Sequence, residues 1–352
     1  MVPNDQSLRL MDVTLRDGAY LFNQNFSLET VQNLVSCLDA AGVPYIEIGH
    51  GVSVGARDKG FLGAGETDLA YAETARGSAA RARIGMVALP QFASTESLRE
   101  LRPFLDFIRV GTNVDAPGEA EGLVSEAKKL GYEVFFQMIR TSRVRPHVAA
   151  NTARFVESLG VDVVYLVDSG GIWSPWEVRP YVEEALSVVQ IPLGIHAHNH
   201  LGVALANTIT AVQAGCRWAD ASLRGAGRGA GNTQMELLAV HLGRLKRHTG
   251  VDLEGLQVAA HILEDELPNE KRGISSEDFL PASFGLDIYP VSFFMNLCRS
   301  AGIDLSTLLQ ELAEIRGLVD IKSEDIRRAL ESQGLDADIV FKRAGLKTSS
   351  QR

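Results

Sequence analysis

Between residue 9 and about residue 250 a short apolar run followed by a helical pattern recurs eight times, the arithmetic of a (β/α)8 barrel. The strand-like runs are 9–14 (RLMDVT), 45–48 (YIEI), 84–89 (IGMVAL), 106–110 (DFIRV), 133–139 (EVFFQMI), 162–167 (DVVYLV), 193–198 (LGIHAH) and 217–223 (RWADASL). Most are followed by Ala/Glu/Leu-rich stretches such as 117–130, 147–159 and 201–214. In the first unit Ser27 is placed to cap a helix, Leu28, Val31, Leu34, Val35 and Leu38 recur at helical spacing, and Gly42 ends it. A doubly wound open sheet is the competing layout, but eight evenly spaced beats are many for one open sheet. The sequence therefore predicts an α/β chain, a (β/α)8 (TIM) barrel over 1–250. A C-terminal helical domain is expected over 251–346 and a frayed tail over 347–352. Leu305, Leu308, Leu309 and Leu312 form one apolar stripe in the helical region, which must pack on the barrel, on its own helices or on a partner.

Composition narrows the function. The chain has 352 residues with 34 Lys+Arg against 44 Asp+Glu, a net charge of −10 without basic blocks, which argues against general nucleic-acid binding. No run approaches the roughly 18 apolar residues of a membrane span, and the N-terminus lacks the apolar core of a secretory signal. Cys37, Cys216 and Cys298 are widely spaced and form no pairable framework, which fits a reducing cytoplasm.

Barrel active sites lie at the C-terminal ends of the strands. The first strand exits into Arg16-Asp17, where Asp17 can bind a cation and Arg16 can stabilise an enolate oxygen or hold a carboxylate; a structural ion pair is the alternative. On the seventh strand His196 and His198 are two residues apart and share a face, so both can aim at the barrel axis. Two imidazoles and a carboxylate from another strand suit a divalent metal that also takes substrate oxygens. His200 lies past that strand, where it can meet substrate or cap the next helix. The glycine-rich run 225–231 after the eighth strand reads as a lid or carboxylate cradle, with Asn232 a fourth metal contact. Ser169 is placed to bond a substrate carboxylate, Asp168 to support a histidine, Glu47 to orient Arg16 or Asp17, and His50 to act as acid or base. Arg109 and Gln137 are placed to line the barrel interior.

Five motifs recur in order: TLRDG (14–18), IEIGHG (46–51), DSGG (168–171), HAHNHLG (196–202) and SLRGAGRGAGN (222–232). Together they resemble the metal-dependent (DRE-TIM, HMG-CoA lyase-like) aldolase superfamily, which holds 4-hydroxy-2-oxovalerate aldolase, hydroxymethylglutaryl-CoA lyase, isopropylmalate synthase and homocitrate synthase. The chain looks most like the 4-hydroxy-2-oxovalerate aldolase branch, as does its FGLDIYPVSFFMN segment (284–296). The resemblance implies that Asp17, His196 and His198 ligate a divalent metal, Mn²⁺ first, with Mg²⁺, Co²⁺ or Zn²⁺ also admitted by such donors. It implies that Arg16 stabilises a pyruvate enolate, that Ser169 holds the 2-oxo acid, and that Tyr289 reaches in from the C-terminal domain. Tyr20 stands where the aldolase branch has a histidine base and the condensing synthases a glutamine. A phenol, with a pKa near 10, is a poor base at neutral pH, so His50, His200 and a metal-bound hydroxide become candidates for that role.

The expected function is class II aldol cleavage or condensation of a 4-hydroxy-2-oxo acid into a pyruvate enolate and an aldehyde. The alternatives are a Claisen-type condensation of an acyl-CoA with a 2-oxo acid, and a catalytically weakened barrel serving as a binding or assembly subunit. The resemblance also implies an acylating aldehyde dehydrogenase docked on the C-terminal domain, and a homo-oligomer is expected.

Overall fold

The computed structural model describes residues 8–22, 25–60, 65–266, 274–288, 290–316 and 321–346. Its centre is a closed barrel of eight parallel strands in sequential order. They are β1 (Arg9–Asp12), β2 (Tyr45–Ile48), β3 (Arg83–Ala88), β4 (Phe107–Asn113), β5 (Glu133–Ile139), β6 (Val163–Asp168), β7 (Leu193–Ala197) and β8 (Trp218–Ala221). The barrel closes where Arg9 pairs with Trp218 and Met11 with Asp220. The expected strands are all present, with ends shifted by a few residues. β1 stops at Asp12 because its carboxylate accepts from the Thr14 N–H and hydroxyl, at 3.0 and 2.8 Å, and so turns the chain. The first helix, Leu28–Ala40, starts where Ser27 accepts from Thr30 N–H, and Gly42 follows it at φ +82°.

Every second residue of each strand points into the barrel. The lower interior is a plug of Met11, Tyr45, Phe107, Phe135, Val163, Tyr165 and Trp218, which Val13 and Val167 continue toward the mouth. Its rings meet edge-on, as Phe135 does with Trp218 at 4.8 Å between centroids. Gly85 lacks the Cβ that would strike the Phe107 ring, and Gly194 the one that would strike Tyr165, so two small residues admit two large ones.

The helix Leu253–Glu266 packs on Leu28–Ala40, and its buried Leu256, Ala259, Ala260 and Leu263 join the core that surrounds the barrel. The helices Ser276–Ser283, Val291–Ala301, Leu305–Arg316, Ser323–Ser332 and Ala337–Arg343 share a second core. Leu308, Leu309 and Leu312 are fully buried in it and Leu305 partly so, which settles the partner of the leucine stripe as its own helices. The expected tail, 347–352, lies outside the described residues. Among the described residues no helix is long and apolar enough to cross a membrane, and the three cysteines are free thiols.

Candidate metal centre at the barrel mouth

Ligand atoms of Asp17, His196 and His198 all lie within 4.8 Å of one another at the C-terminal end of the strands. All three side chains are buried. His196 Nδ1 stands 2.8 Å from Asp220 Oδ2. With the proton on Nδ1, that contact leaves the Nε2 lone pair facing inward. His196 Nε2 and His198 Nε2 face each other at 3.3 Å, and Asp17 Oδ2 is 4.0 Å from His198 Nε2. Burial pushes His198 well below the ordinary histidine range, which keeps its ring neutral. Burial alone would raise Asp17, but Arg16 first, then the two histidines and Asn232, hold it well below the usual carboxylate range. One carboxylate and two imidazoles aimed at a common point form a donor set that fits a divalent cation.

Asn232 sits beside this set. Its Nδ2 donates to Asp17 Oδ2 at 2.7 Å and to Ala226 O at 3.1 Å, and its Oδ1 is buried without a hydrogen-bond partner. The glycine-rich loop can come this close because Gly227 has no side chain: a Cβ there would press into the Asn232 amide and come within 2.8 Å of Asp17 Oδ2. The Arg228 N–H also donates to Asp17 Oδ2, at 3.3 Å.

A chain of ion pairs runs from the histidines to Arg16 around the upper barrel. Asp220 accepts from Arg109 Nη2 at 2.6 Å, and Arg109 Nη1 donates to Glu47 Oε2 at 3.1 Å. Glu47 Oε2 also accepts from Arg16 Nε at 2.8 Å, and Arg16 Nη1 donates to Asp17 Oδ1 at 2.6 Å. Burial would raise Asp220, but Arg109 and His196 lower it below the usual range. Turned to present its amide oxygen, Gln137 accepts from Arg109, whose guanidinium lies 4.5 Å from the centroid of the Tyr165 ring. This circuit fixes the Arg16 fork against Asp17 and Glu47.

Other expected roles fall differently. Asp168 supports no histidine; its carboxylate accepts from Ile172 and Trp173 N–H at 3.1 Å each and ties the turn after β6. Burial raises its pKa to about 6. Asp220 is the residue that holds His196. Its signal was present in the sequence, since period-two alternation puts it on the inward face with Trp218. His200 does not cap the following helix: Asn199 Oδ1 accepts from Ala204 N–H at 3.1 Å. His200 instead lines a cleft of about 230 Å³ with Tyr20, Gly170, Gly229, Asp287 and Ile288, its Nδ1 buried and without a hydrogen-bond partner. Burial, then Arg228, lowers it to about 4. Ser169 Oγ accepts from Arg140 N–H at 3.0 Å beside that cleft. His50 lies in a separate small hollow that Arg16 also lines, its Nε2 3.1 Å from Asp68 Oδ1 without hydrogen-bond alignment. Tyr289 lies outside the described residues.

The chain is similar to known proteins. The HMGL-like family matches residues 7–96 and 111–263. An oxaloacetate decarboxylase of Mycobacterium tuberculosis is 33% identical over 321 residues, covering 91% of this chain and 95% of its own. A 4-hydroxy-2-oxovalerate aldolase of Geobacillus genomosp. 3 is 36% identical over 263 residues, 74% of this chain and 78% of its own. Among solved structures, the carboxyl transferase domain of Rhizobium etli pyruvate carboxylase superposes with TM-score 0.74 at 17% identity, over 99% of this chain and 63% of that one. The HMG-CoA lyase of Brucella melitensis superposes with TM-score 0.62 at 19% identity, over 74% and 99%. At such identities the two structures speak for the fold alone.

Proposed function

The chain belongs to the HMGL-like family, and from that membership and its own mouth residues we propose that it is a metal-dependent lyase of 4-hydroxy-2-oxo acids. The observation that carries this reading is the convergence of Asp17, His196 and His198 beside the fixed guanidinium of Arg16. Asp17, His196 and His198 would hold the cation, Mn²⁺ first, with Asn232 Oδ1 as a further contact. Bound there, it supplies Lewis-acid polarisation of the 2-oxo acid.

The rest of the work falls to side chains. In cleavage the C3–C4 bond breaks, its electron pair passes into the 2-oxo group as an enolate, and the 4-hydroxyl gives up a proton to leave an aldehyde. Arg16 donates to the enolate oxygen, preorganised by Glu47 and Asp17 so that no reorientation is needed as charge develops. Ser169 has an O–H to donate to the substrate carboxylate, its lone pair being engaged by Arg140 N–H. His200, with its ring in the cleft that Tyr20 also lines, is the residue we assign to receive the 4-hydroxyl proton. Tyr20, a phenol, is left to hydrogen-bond or pack against the substrate.

A second reading is favoured by the Mycobacterium tuberculosis relative's name. Decarboxylation of a 2-oxo acid carrying a 3-carboxylate gives the same enolate and needs no base for a hydroxyl proton, which suits a tyrosine at position 20. The test is pyruvate release from 4-hydroxy-2-oxo acids of several chain lengths and from oxaloacetate, with Mn²⁺ and after chelation. Metal-dependent pyruvate from the hydroxy acids is the expected result. Pyruvate from oxaloacetate alone, above its spontaneous rate, would replace the aldolase reading with the decarboxylase one.

A further inference from the structure

Three arginines from two loops meet on one carboxylate above the cleft. Arg140 and Arg143 follow β5, Arg228 belongs to the glycine-rich loop after β8, and Asp287 arrives from the segment between the helices Ser276–Ser283 and Val291–Ala301. Arg140 Nε donates to Asp287 Oδ2 at 3.1 Å. Arg143 Nη2 donates to the Asp287 carbonyl at 2.8 Å and lies 3.8 Å from Oδ2, while Arg228 Nη2 lies 3.7 Å from Oδ1. The Asp287 side chain is 4% exposed. Burial would raise its pKa, but Arg228, Arg140 and Arg143 outweigh it and keep the carboxylate ionised. Asp287 therefore gathers three positive charges around one carboxylate.

The surroundings are shaped for this meeting. Arg140 has a left-handed backbone, φ +62°, one of three such non-glycine residues among those described. Such strain persists where the surroundings enforce it. Here the Ser169 hydroxyl pins the Arg140 N–H. At Gly170 a Cβ would stand 3.0 Å from Asp287 Cβ, so the missing side chain admits the incoming segment.

Arg228 ties this cluster to the metal-ligand set. Its backbone N–H reaches Asp17 Oδ2 at 3.3 Å, while its guanidinium reaches Ser169 O at 2.6 Å and pairs with Asp287. Arg228 thus links the two anion-seeking groups of the mouth, because the Asp17 that its N–H reaches also pairs with Arg16, and Asp287, His200, Gly170 and Tyr20 line the cleft beside the cluster. A small 2-oxo acid seated at Arg16 extends its far end toward the cluster. An alkyl end would set apolar atoms against three guanidinium groups, whereas a carboxylate would meet matched donors.

Resting on the 2-oxo acid reading above, we infer that Arg140, Arg143 and Arg228 form a carboxylate subsite which Asp287 occupies in the free protein, and that the substrate is a 4-hydroxy-2-oxo dicarboxylic acid whose distal carboxylate displaces Asp287. One carboxylate replaces another, so the charge of the cluster is conserved on exchange. The distal carboxylate lies beyond the C3–C4 bond. It is not lost on cleavage and leaves on the aldehyde, so the products are pyruvate and a carboxylated aldehyde, with no oxidant or reductant required.

Two uncleavable C5 acids that differ only at the far end test this by calorimetry on Mn²⁺-loaded protein: 2-oxoglutarate and 2-oxovalerate. The subsite predicts that 2-oxoglutarate binds about 10- to 100-fold more tightly, the range for charge-assisted hydrogen bonds. Arg143→Gln removes most of that preference and leaves 2-oxovalerate affinity unchanged. Asp287→Asn acts in the opposite direction and tightens 2-oxoglutarate selectively, a sign that general damage to the fold would not produce. Equal binding of the two acids, or variants that shift both equally, overturns the subsite and leaves the 2-oxo acid reading standing. If metal is taken up and neither acid binds, both readings fall together.

Discussion

The barrel interior has two halves built from the same eight strands. Below Tyr165 it is filled mainly by rings and apolar chains packed on one another, with Arg9 over Trp218 and the Tyr45 hydroxyl donating to Glu133. Above Tyr165 the inward positions of the same strands include Glu47, Arg109, Gln137, His196 and Asp220, every one buried. The lower half needs only volume, and Gly85 and Gly194 are small because Phe107 and Tyr165 are large. The upper half needs every charge answered, because an unpaired ion there would be costly. The chain satisfies that demand with a circuit ending at Arg16 and at the histidines, so the groups that stabilise the upper half also aim the chemistry. Stability and function are separable below that plane and inseparable above it.

Substitutions test that separation. Asp17→Ala should have the largest effect, abolishing Mn²⁺ uptake in an electron paramagnetic resonance titration and reducing turnover to background. Its circular dichroism should stay native, because Arg16 keeps Glu47. In the lower half, Phe135→Ala should cost about 3–5 kcal/mol in urea unfolding, the usual penalty for emptying a ring from a core. Its Mn²⁺ affinity should be unchanged, and a parallel loss of metal binding would show that the halves are coupled. Asp220→Asn spans both descriptions. It should weaken Mn²⁺ about 10- to 100-fold through His196, and it should lower stability as well, because Arg109 loses an ionised partner. An effect on only one of the two would break the claim that they are inseparable there.

A pH-dependent effect is expected at Asp12, which carries a titrating carboxyl outside the circuit. Burial raises its pKa to about 7. Above the unfolded value near 3.9 the unfolded chain releases the proton while the native state retains it until about pH 7, so folding stability falls across that window. Asp12→Asn removes this component. Relative to wild type its stability should rise between pH 4 and pH 7 and level off above, as measured by urea midpoints at four pH values. A constant difference would mean that Asp12 is ionised in the folded protein.

Much of this was legible in the sequence. The eight beats prescribe the barrel, and two histidines at i and i+2 on a strand must share a face, so the cluster of Asp17, His196 and His198 follows once the strands close. The pairing of Glu47 with Arg16 was also readable, because adjacent strand exits bring them together. Asp168 was misread because a carboxylate after a strand can bond a turn as well as a histidine, and only the path of 169–173 decides between them. Asp220 carried the inward-facing signal but no motif. The arginine cluster was invisible for a different reason. Arg140 depends on a left-handed backbone and Asp287 on a contact across 147 positions, and neither leaves a local pattern.

On the proposed reading the upper barrel generates a pyruvate enolate with the help of Arg16. The most direct measurement is exchange of the pyruvate methyl protons for deuterium in D₂O, followed by nuclear magnetic resonance, since it requires no knowledge of the aldehyde. Exchange should need Mn²⁺, stop on chelation and be lost in Arg16→Ala. Protein that binds one equivalent of Mn²⁺ and exchanges pyruvate no faster than buffer would contradict that reading.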